Sequence, residues 1–440
     1  MLPTLVQRCR VPPRLEEVTT VRAENEVDPR EAGVVSDGPA RIWAAVERLY
    51  RSGIHPAIQL CVRRKGRIVI DRAIGHASGN GPADPPEGPK VLCTPETPFN
   101  IFSAAKAVTA MLIHLLDERD ALRLDDAVSE YVPEFGAHGK YRVTIRHLLS
   151  HRAGMPNLPP EVMRLESLAQ PDEIVRIFCD AQLSSRPGQR LAYHAMTGGF
   201  VLGEIIQRVT GRSIRALLDE TIRRPLGFRW LRYGVDLHDA DAVARSYATG
   251  PPVLPPLSTI LWRALGVGFY EAIELSNDPR FLTALVPAGN LVATAEEVSR
   301  FYQLLLDGGI QNGVRVFESR TIRRAVTEHS YGEIDFSIGL PLRYGLGFML
   351  GGRWLSLYGP DTEHCFGHIG FTNVVTWADA EREVAAALLT SGKPILYLGL
   401  YNVFDVLRQI GLACPKTRTL EAILADRADT GAATKQRASQ

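Results

Sequence analysis

Ser103 and Lys106 are the pair of side chains whose types and spacing point most directly to chemistry. They lie in the run Thr97-Pro98-Phe99-Asn100-Ile101-Phe102-Ser103-Ala104-Ala105-Lys106, which opens an apolar stretch with helical patterning. Three residues apart in a first helical turn, a hydroxyl and an amine share one face. A serine hydroxyl becomes a strong nucleophile when a neighbouring base takes its proton, and a lysine is such a base only in its neutral form. Burial beside Ala107, Val108 and Ala110 pushes Lys106 toward that form. The free amides and dipole at a helix N-terminus favour the negative charge that develops as the hydroxyl attacks. Lysine is scarce, occurring only at positions 65, 90, 106, 140, 393, 416 and 435, so most of the 50 basic side chains are arginine, which cannot deprotonate in a protein. A lysine in an apolar helix is what a base requires and an ion pair does not. The S-x-x-K pattern occurs once. On those four positions alone, a serine helix cap followed by a lysine reaching along the surface is the weightier reading, and the neighbouring motifs have to decide.

Several other blocks follow in order. Residues 96–135 continue from the serine motif, and Thr144-Ile145-Arg146-His147-Leu148-Leu149-Ser150-His151-Arg152-Ala153-Gly154 comes next. Leu191-Ala192-Tyr193-His194-Ala195 leads into a glycine-started helical pattern over 198–211. Pro287-Ala288-Gly289-Asn290 opens another, and Phe366-Gly367-His368-Ile369-Gly370 closes the series. In content, order and spacing, over roughly residues 40–410, these blocks resemble the serine β-lactamase-like superfamily, specifically its class C and family VIII carboxylesterase branch. The resemblance implies that Ser103 is the acylated nucleophile, Lys106 its proton partner and Tyr193 the phenol whose oxygen approaches both. His368 and Gly370 are supporting residues, and the backbone amides of Ser103 and Phe371 form the oxyanion hole. A tyrosine with a pKa near ~10 is a poor base at neutral pH, and a nearby cation is expected to favour its phenolate.

Two departures from the family pattern bear on substrate. Where its lactamases carry an asparagine that contacts the acyl amide, this chain has Ala195, with no side-chain donor or acceptor. His368 stands in place of the lysine that meets the substrate carboxylate, and a neutral imidazole attracts an anion less well. Both changes favour uncharged esters. The expected activity is that of a carboxylesterase acting on small or medium acyl esters through a Ser103 acyl-enzyme. The same site leaves open acyl transfer, D-amino-acid peptide cleavage or weak β-lactam hydrolysis, and a non-catalytic binding protein could retain the fold. No G-x-S-x-G elbow, P-loop, H-E-x-x-H or EF-hand spacing is present, and Gly266-Val267-Gly268 lacks the third glycine of a dinucleotide loop. No metal or organic cofactor is expected. His147 and His151, four apart, read as structural members of one helix, since no third metal ligand accompanies them.

The elements that must carry these residues follow from patterning. The chain has 440 residues, 45% of them hydrophobic and 22% charged, which is the profile of a folded globular protein with a sizeable core. A net charge of +1 gives no field to draw in nucleic acid. Residues 1–17 lack the continuous apolar stretch of a secretory signal, the longest apolar helical run is half of what a bilayer demands, and six scattered cysteines fit reduced thiols. A cytoplasmic location is expected, with a small-molecule ester as the only implied partner and the oligomeric state undetermined.

Helical periodicity marks 40–50, much of 103–218, and 295–306. Alternating β-branched runs predict hairpins at 57–62 with 67–73, across a solvated basic turn at Arg63-Arg64-Lys65-Gly66, and at 374–378 with 384–389. Gly- and Pro-rich breaks fall at 79–89 and 250–256, the second preceding an apolar aromatic stretch, 253–275, that could form a lid or line an acyl pocket. The fold expected is α+β, β-lactamase/transpeptidase-like: an antiparallel sheet from N- and C-terminal segments, flanked by helices, with a large mainly helical insert. Its expected divisions are a loose segment at 1–39, a catalytic domain at 40–425 and a loose tail at 426–440. Within that domain, the α/β part covers about 40–105 and 340–412, and the helical part about 106–339.

Overall fold

The computed structural model describes residues 6–418, apart from 158, 169, 331, 355 and 398. Its main sheet takes β1 (Thr19–Val21), β2 (Ala57–Arg64) and β3 (Arg67–Ser78) from one end of the sequence. From the other come β4 (Arg343–Tyr344), β5 (Met349–Leu350), β6 (Cys365–Gly370), β7 (Val374–Asp379) and β8 (Val384–Thr390). The spatial order is β1-β3-β2-β8-β7-β6-β5-β4, antiparallel throughout, and a short strand at Val91–Leu92 pairs with β3 to make nine. The two hairpins expected from the sequence meet where β8 pairs with β2, with Leu388 opposite Leu60.

The helices that matter for the site are α1 (Gly38–Arg51), α2 (Ala105–Glu118), α3 (Thr197–Thr210), α4 (Leu257–Leu265), α5 (Phe269–Leu275), α6 (Ala295–Leu306) and α7 (Leu400–Ala413). The period-2 alternation of the central strands sends their side chains to both faces of the sheet. Ile58, Leu60 and Val62 of β2 and Ala386 and Leu388 of β8 pack in one cluster with α1 and α7. Cys61, Ala385, Ala387 and Leu389 join the opposite cluster, with Phe301, Tyr302 and Leu305 of α6. Covered on both sides, β2, β7 and β8 are buried along their whole length. The division expected at 339/340 does not separate the layers, because α6, assigned to the helical part, is what covers this face.

α2 is the buried centre of the other cluster, with every residue from Ala105 to Asp117 inside. Each large apolar side chain buried there contributes roughly 1.5–3 kcal/mol, enough in sum to carry one buried amine. All six cysteines are buried and free.

Two sequence expectations need correcting. The segment expected to be loose at 1–39 is, over the described residues 6–39, part of the fold: β1 pairs with β3, Leu15, Val18, Ala32 and Val34 are buried, and Arg72 pairs with Glu26. Leu15, Val18, Ala32 and Val34 reach the sheet–helix core, while Val21 and Val35 stay exposed. Arg63 and Arg64 are not a solvated turn but the buried end of β2. Arg63 binds Glu296 and Ser299, while Arg64 donates to Pro415 O at 2.8 Å. The turn itself is Lys65-Gly66, with Lys65 at φ 51°. The tail expected at 426–440 lies outside the described residues.

Candidate active site

The chain enters α2 through one tight turn, Phe102–Ala104. The Ile101 N–H donates to Leu291 O at 2.9 Å, and Asn100 Oδ1 accepts from the Phe102 N–H at 3.0 Å. Phe102 is held at φ 50°, a left-handed backbone that is strained for a bulky residue, at a cost of order 1–3 kcal/mol. Ser103 follows it directly. The end of β6 lies against this turn, and only glycine fits there: a Cβ on Gly370 would meet Ile101 O at 2.3 Å.

Lys106 Nζ sits 3.0 Å from Ser103 Oγ, 2.6 Å from Ala195 O and 3.3 Å from Ala288 O. Among the described residues no carboxylate pairs with it, so nothing opposes desolvation, and burial lowers its pKa from 10.5 to about 7. Two carbonyls take two N–H bonds, and a neutral amine then keeps a lone pair for the Ser103 hydroxyl. The two carbonyls come from the tyrosine block and the Pro287 block. Their part in the site is played by backbone, which no side-chain motif can announce.

Tyr193 is brought to the same place. Its ring centroid is 5.2 Å from Lys106 Nζ and 6.1 Å from the His368 ring, and its N–H donates to buried Asp335 at 3.2 Å. On the sequence, a nearby cation is expected to bring the phenol toward phenolate. In the structure burial acts the other way and raises its pKa well above the ordinary value, with the Ser103 hydroxyl pulling it down only in part and the Asp335 charge adding to the rise.

His368 on β6 donates from Nδ1 to Ile369 O at 2.7 Å, which leaves Nε2 as a buried acceptor without a partner. Burial, helped by the charge of Lys106, lowers its pKa to about 3, so the ring is neutral at physiological pH. Phe371 follows β6 directly, with its ring 5.6 Å from that of Phe102 and 5.5 Å from that of Phe269 on α5. The aromatic stretch at 253–275 thus reaches the site through α5, whereas α4 buries none of its residues.

The two histidines expected on one helix are separated. His147 closes the first turn of the helix Ile145–Leu149, its Nδ1 accepting from the Thr144 N–H at 3.2 Å. His151 lies past the end of that helix at φ 57°, with its ring 4.7 Å from Tyr193 and its Nδ1 accepting from the His194 N–H at 3.2 Å. Helical spacing hides this, because the helix stops before the second histidine. His151, His194 and Asp335 are thus neighbours of the site that motif reading passed over. The side chains of Asp236, His238 and Asp239 cluster closely enough to hold a cation, but Asp236 is already in an ion pair with Arg232, and Asp236 and His238 are exposed.

A family model described as Beta-lactamase matches residues 44–396. An esterase/beta-lactamase named LipL from Mycobacterium tuberculosis is 29% identical over 330 residues, covering 70% of this chain and 74% of that protein. A penicillin-binding protein homologue from Caulobacter crescentus superposes with a TM-score of 0.70 at 25% identity, covering 86% of this chain and 98% of the other. A family VIII carboxylesterase structure superposes equally well, at 0.70 and 23% identity, covering 85% and 98%. No helix among the described residues is long and apolar enough to cross a membrane. With the match spanning most of its length, the chain belongs to the beta-lactamase family and is a serine hydrolase of that family.

Proposed function

We propose that this chain is a carboxylesterase that cleaves small to medium acyl esters through a covalent acyl-enzyme on Ser103. The observation that supports this best is Lys106, buried without a counter-ion between two carbonyls and 3.0 Å from the Ser103 hydroxyl. Neutral Lys106 takes the hydroxyl proton as Oγ attacks the ester carbonyl. The amides of Ser103 and Phe371 receive the charge on the carbonyl oxygen. The intermediate collapses by breaking the bond to the alcohol oxygen. Tyr193, kept a neutral phenol by burial, hands its proton to that oxygen and recovers one from the Lys106 ammonium. Water then attacks the acyl-enzyme with Lys106 again as acceptor, the bond to Ser103 Oγ breaks as Oγ takes that proton back from Lys106, and the free acid leaves. Ala195 and neutral His368 favour an uncharged ester over a β-lactam, since neither supplies an amide contact or a cation.

The reading is tested with a chromogenic short-chain ester beside a chromogenic cephalosporin. Ester turnover should dominate, and intact-mass measurement after brief exposure should find one acyl group on Ser103. Faster cephalosporin turnover would defeat the esterase assignment. The absence of any adduct in folded protein would favour a binding role.

A further inference from the structure

Lys393 is the second buried lysine beside the nucleophile, and the mechanism above does not use it. Only 1% exposed, it follows β8 and donates to Thr390 O at 2.7 Å. Among the described residues no carboxylate pairs with it. Its amine instead lies 4.7 Å from the centroid of the Phe102 ring. An N–H held over a ring face is attractive when neutral and more so when charged. Phe102 is the strained residue immediately before Ser103, and its ring meets that of Phe371 edge-on. From the other side, Thr390 Oγ1 donates to Asn373 O at 3.1 Å, in the turn that follows Phe371. One side chain therefore touches the ring of Phe102 directly and, through Thr390, the backbone of the turn after Phe371, on the two sides of the carbonyl-binding position.

We propose that Lys393 is a positioning residue: by clamping the Phe102 ring and the end of β8, it fixes the backbone amides of Ser103 and Phe371 at the spacing an oxyanion needs. This rests on the esterase reading given above. Buried as it is, Lys393 does not touch substrate, so its loss acts on kcat and leaves KM alone. A side chain that merely filled space would be replaced by methionine without kinetic effect.

The test is a double-mutant cycle of Lys393→Met and Phe102→Leu, with ester kcat and KM measured separately and folding checked by circular dichroism. Each single variant is expected to lose at least ~10-fold in kcat with KM within threefold, since one misplaced oxyanion donor costs more than that. The double variant is expected to lose no more than the worse single one. A Lys393→Met kcat within twofold of the parent, a loss carried in KM, or losses that multiply in the double variant would each overturn the assignment. If Lys393→Met does not fold, Phe102→Leu decides: a kcat within twofold of the parent refutes the clamp. Failure of the underlying esterase reading shows separately, as a parent chain that forms no Ser103 adduct.

Discussion

The neutrality of Lys106 makes a prediction that separates it from Tyr193 as the acceptor of the Ser103 proton. With a pKa of about 7, the amine is neutral in about a tenth of molecules at pH 6, about half at pH 7 and about nine-tenths at pH 8. Acid protonates the base, so acylation falls as pH drops through 7. The rate constant for Ser103 acylation should therefore rise about tenfold from pH 6 to 8 and then level off. Had the phenolate of Tyr193 been the acceptor, its raised pKa would keep the rate climbing tenfold per pH unit beyond pH 9. Stopped-flow measurement of the burst with an activated ester reads this constant directly and keeps deacylation out of it. Lys106→Arg retains a cation but cannot become neutral, so acylation should drop ~10²-fold or more and the inflection near pH 7 should vanish. A plateau missing up to pH 9, or a Lys106→Arg rate within a few-fold of the parent, would refute the assignment.

Tyr193→Phe removes the proton donor for the departing alcohol. An alkyl ester should slow ~10²-fold, while a nitrophenyl ester, whose leaving group needs no proton, should slow only a few-fold; equal losses would contradict the role. Ala195→Asn supplies an amide where the family's lactamases have one, and should raise the ratio of cephalosporin to ester kcat/KM about tenfold, the value of one good hydrogen bond; an unchanged ratio would show that amide recognition lies elsewhere. Gly370→Ala sets a Cβ 2.3 Å from Ile101 O, so β6 must shift and kcat should fall ~10²-fold, as for a lost oxyanion donor; a normal kcat would mean that the strand end does not shape the site. Finally, the unfolded chain keeps the Lys106 proton up to about pH 10.5 and the folded chain releases it above about 7, so in that window the folded state gains with rising pH. Relative to Lys106→Met, the parent should gain about 2 kcal/mol of unfolding free energy between pH 7 and 9 by denaturant titration. Taking the difference cancels Lys393, which burial also lowers to about 7. Parallel pH profiles would show that the amine is not neutral when folded.

Side chains that form contiguous motifs are legible in the sequence. Ser103, Lys106, Tyr193 and His368 converge because each sits in a block whose local pattern announces itself, and the two hairpins are visible because alternation is a local signal. Long-range backbone contacts are not. Nothing in Ala195 or Ala288 indicates that its carbonyl holds the lysine, because every residue has a carbonyl. Arg63 and Arg64 read as solvent-facing because charge usually is, and only the distant Glu296, Ser299 and Pro415 make their burial tolerable. The N-terminal segment looked loose because its apolar residues are few and irregularly spaced. Their order comes from pairing with β3, and composition carries no trace of it. His151 was misplaced by extending a helical period two residues past the point where the helix ends.

Two of the buried lysines, Lys106 and Lys140, differ in what opposes the loss of their proton. Lys140 is fully buried too, yet its Nζ donates to Cys179 O at 2.9 Å and Ala181 O at 2.5 Å, at the C-terminal end of the helix Pro171–Asp180. There the unpaired carbonyls and the helix dipole favour a cation, and the charge of Asp180 opposes the desolvation that lowers its pKa. Lys106 occupies the opposite pole, the first turn of α2, where the same dipole disfavours positive charge and no acid compensates. Desolvation with no acid nearby among the described residues lowers Lys106, and the N-terminal end of α2 that disfavours its proton would also favour negative charge arising one turn away on Ser103. In the proposed mechanism, the position of that pair at a helix N-terminus couples the base to the nucleophile.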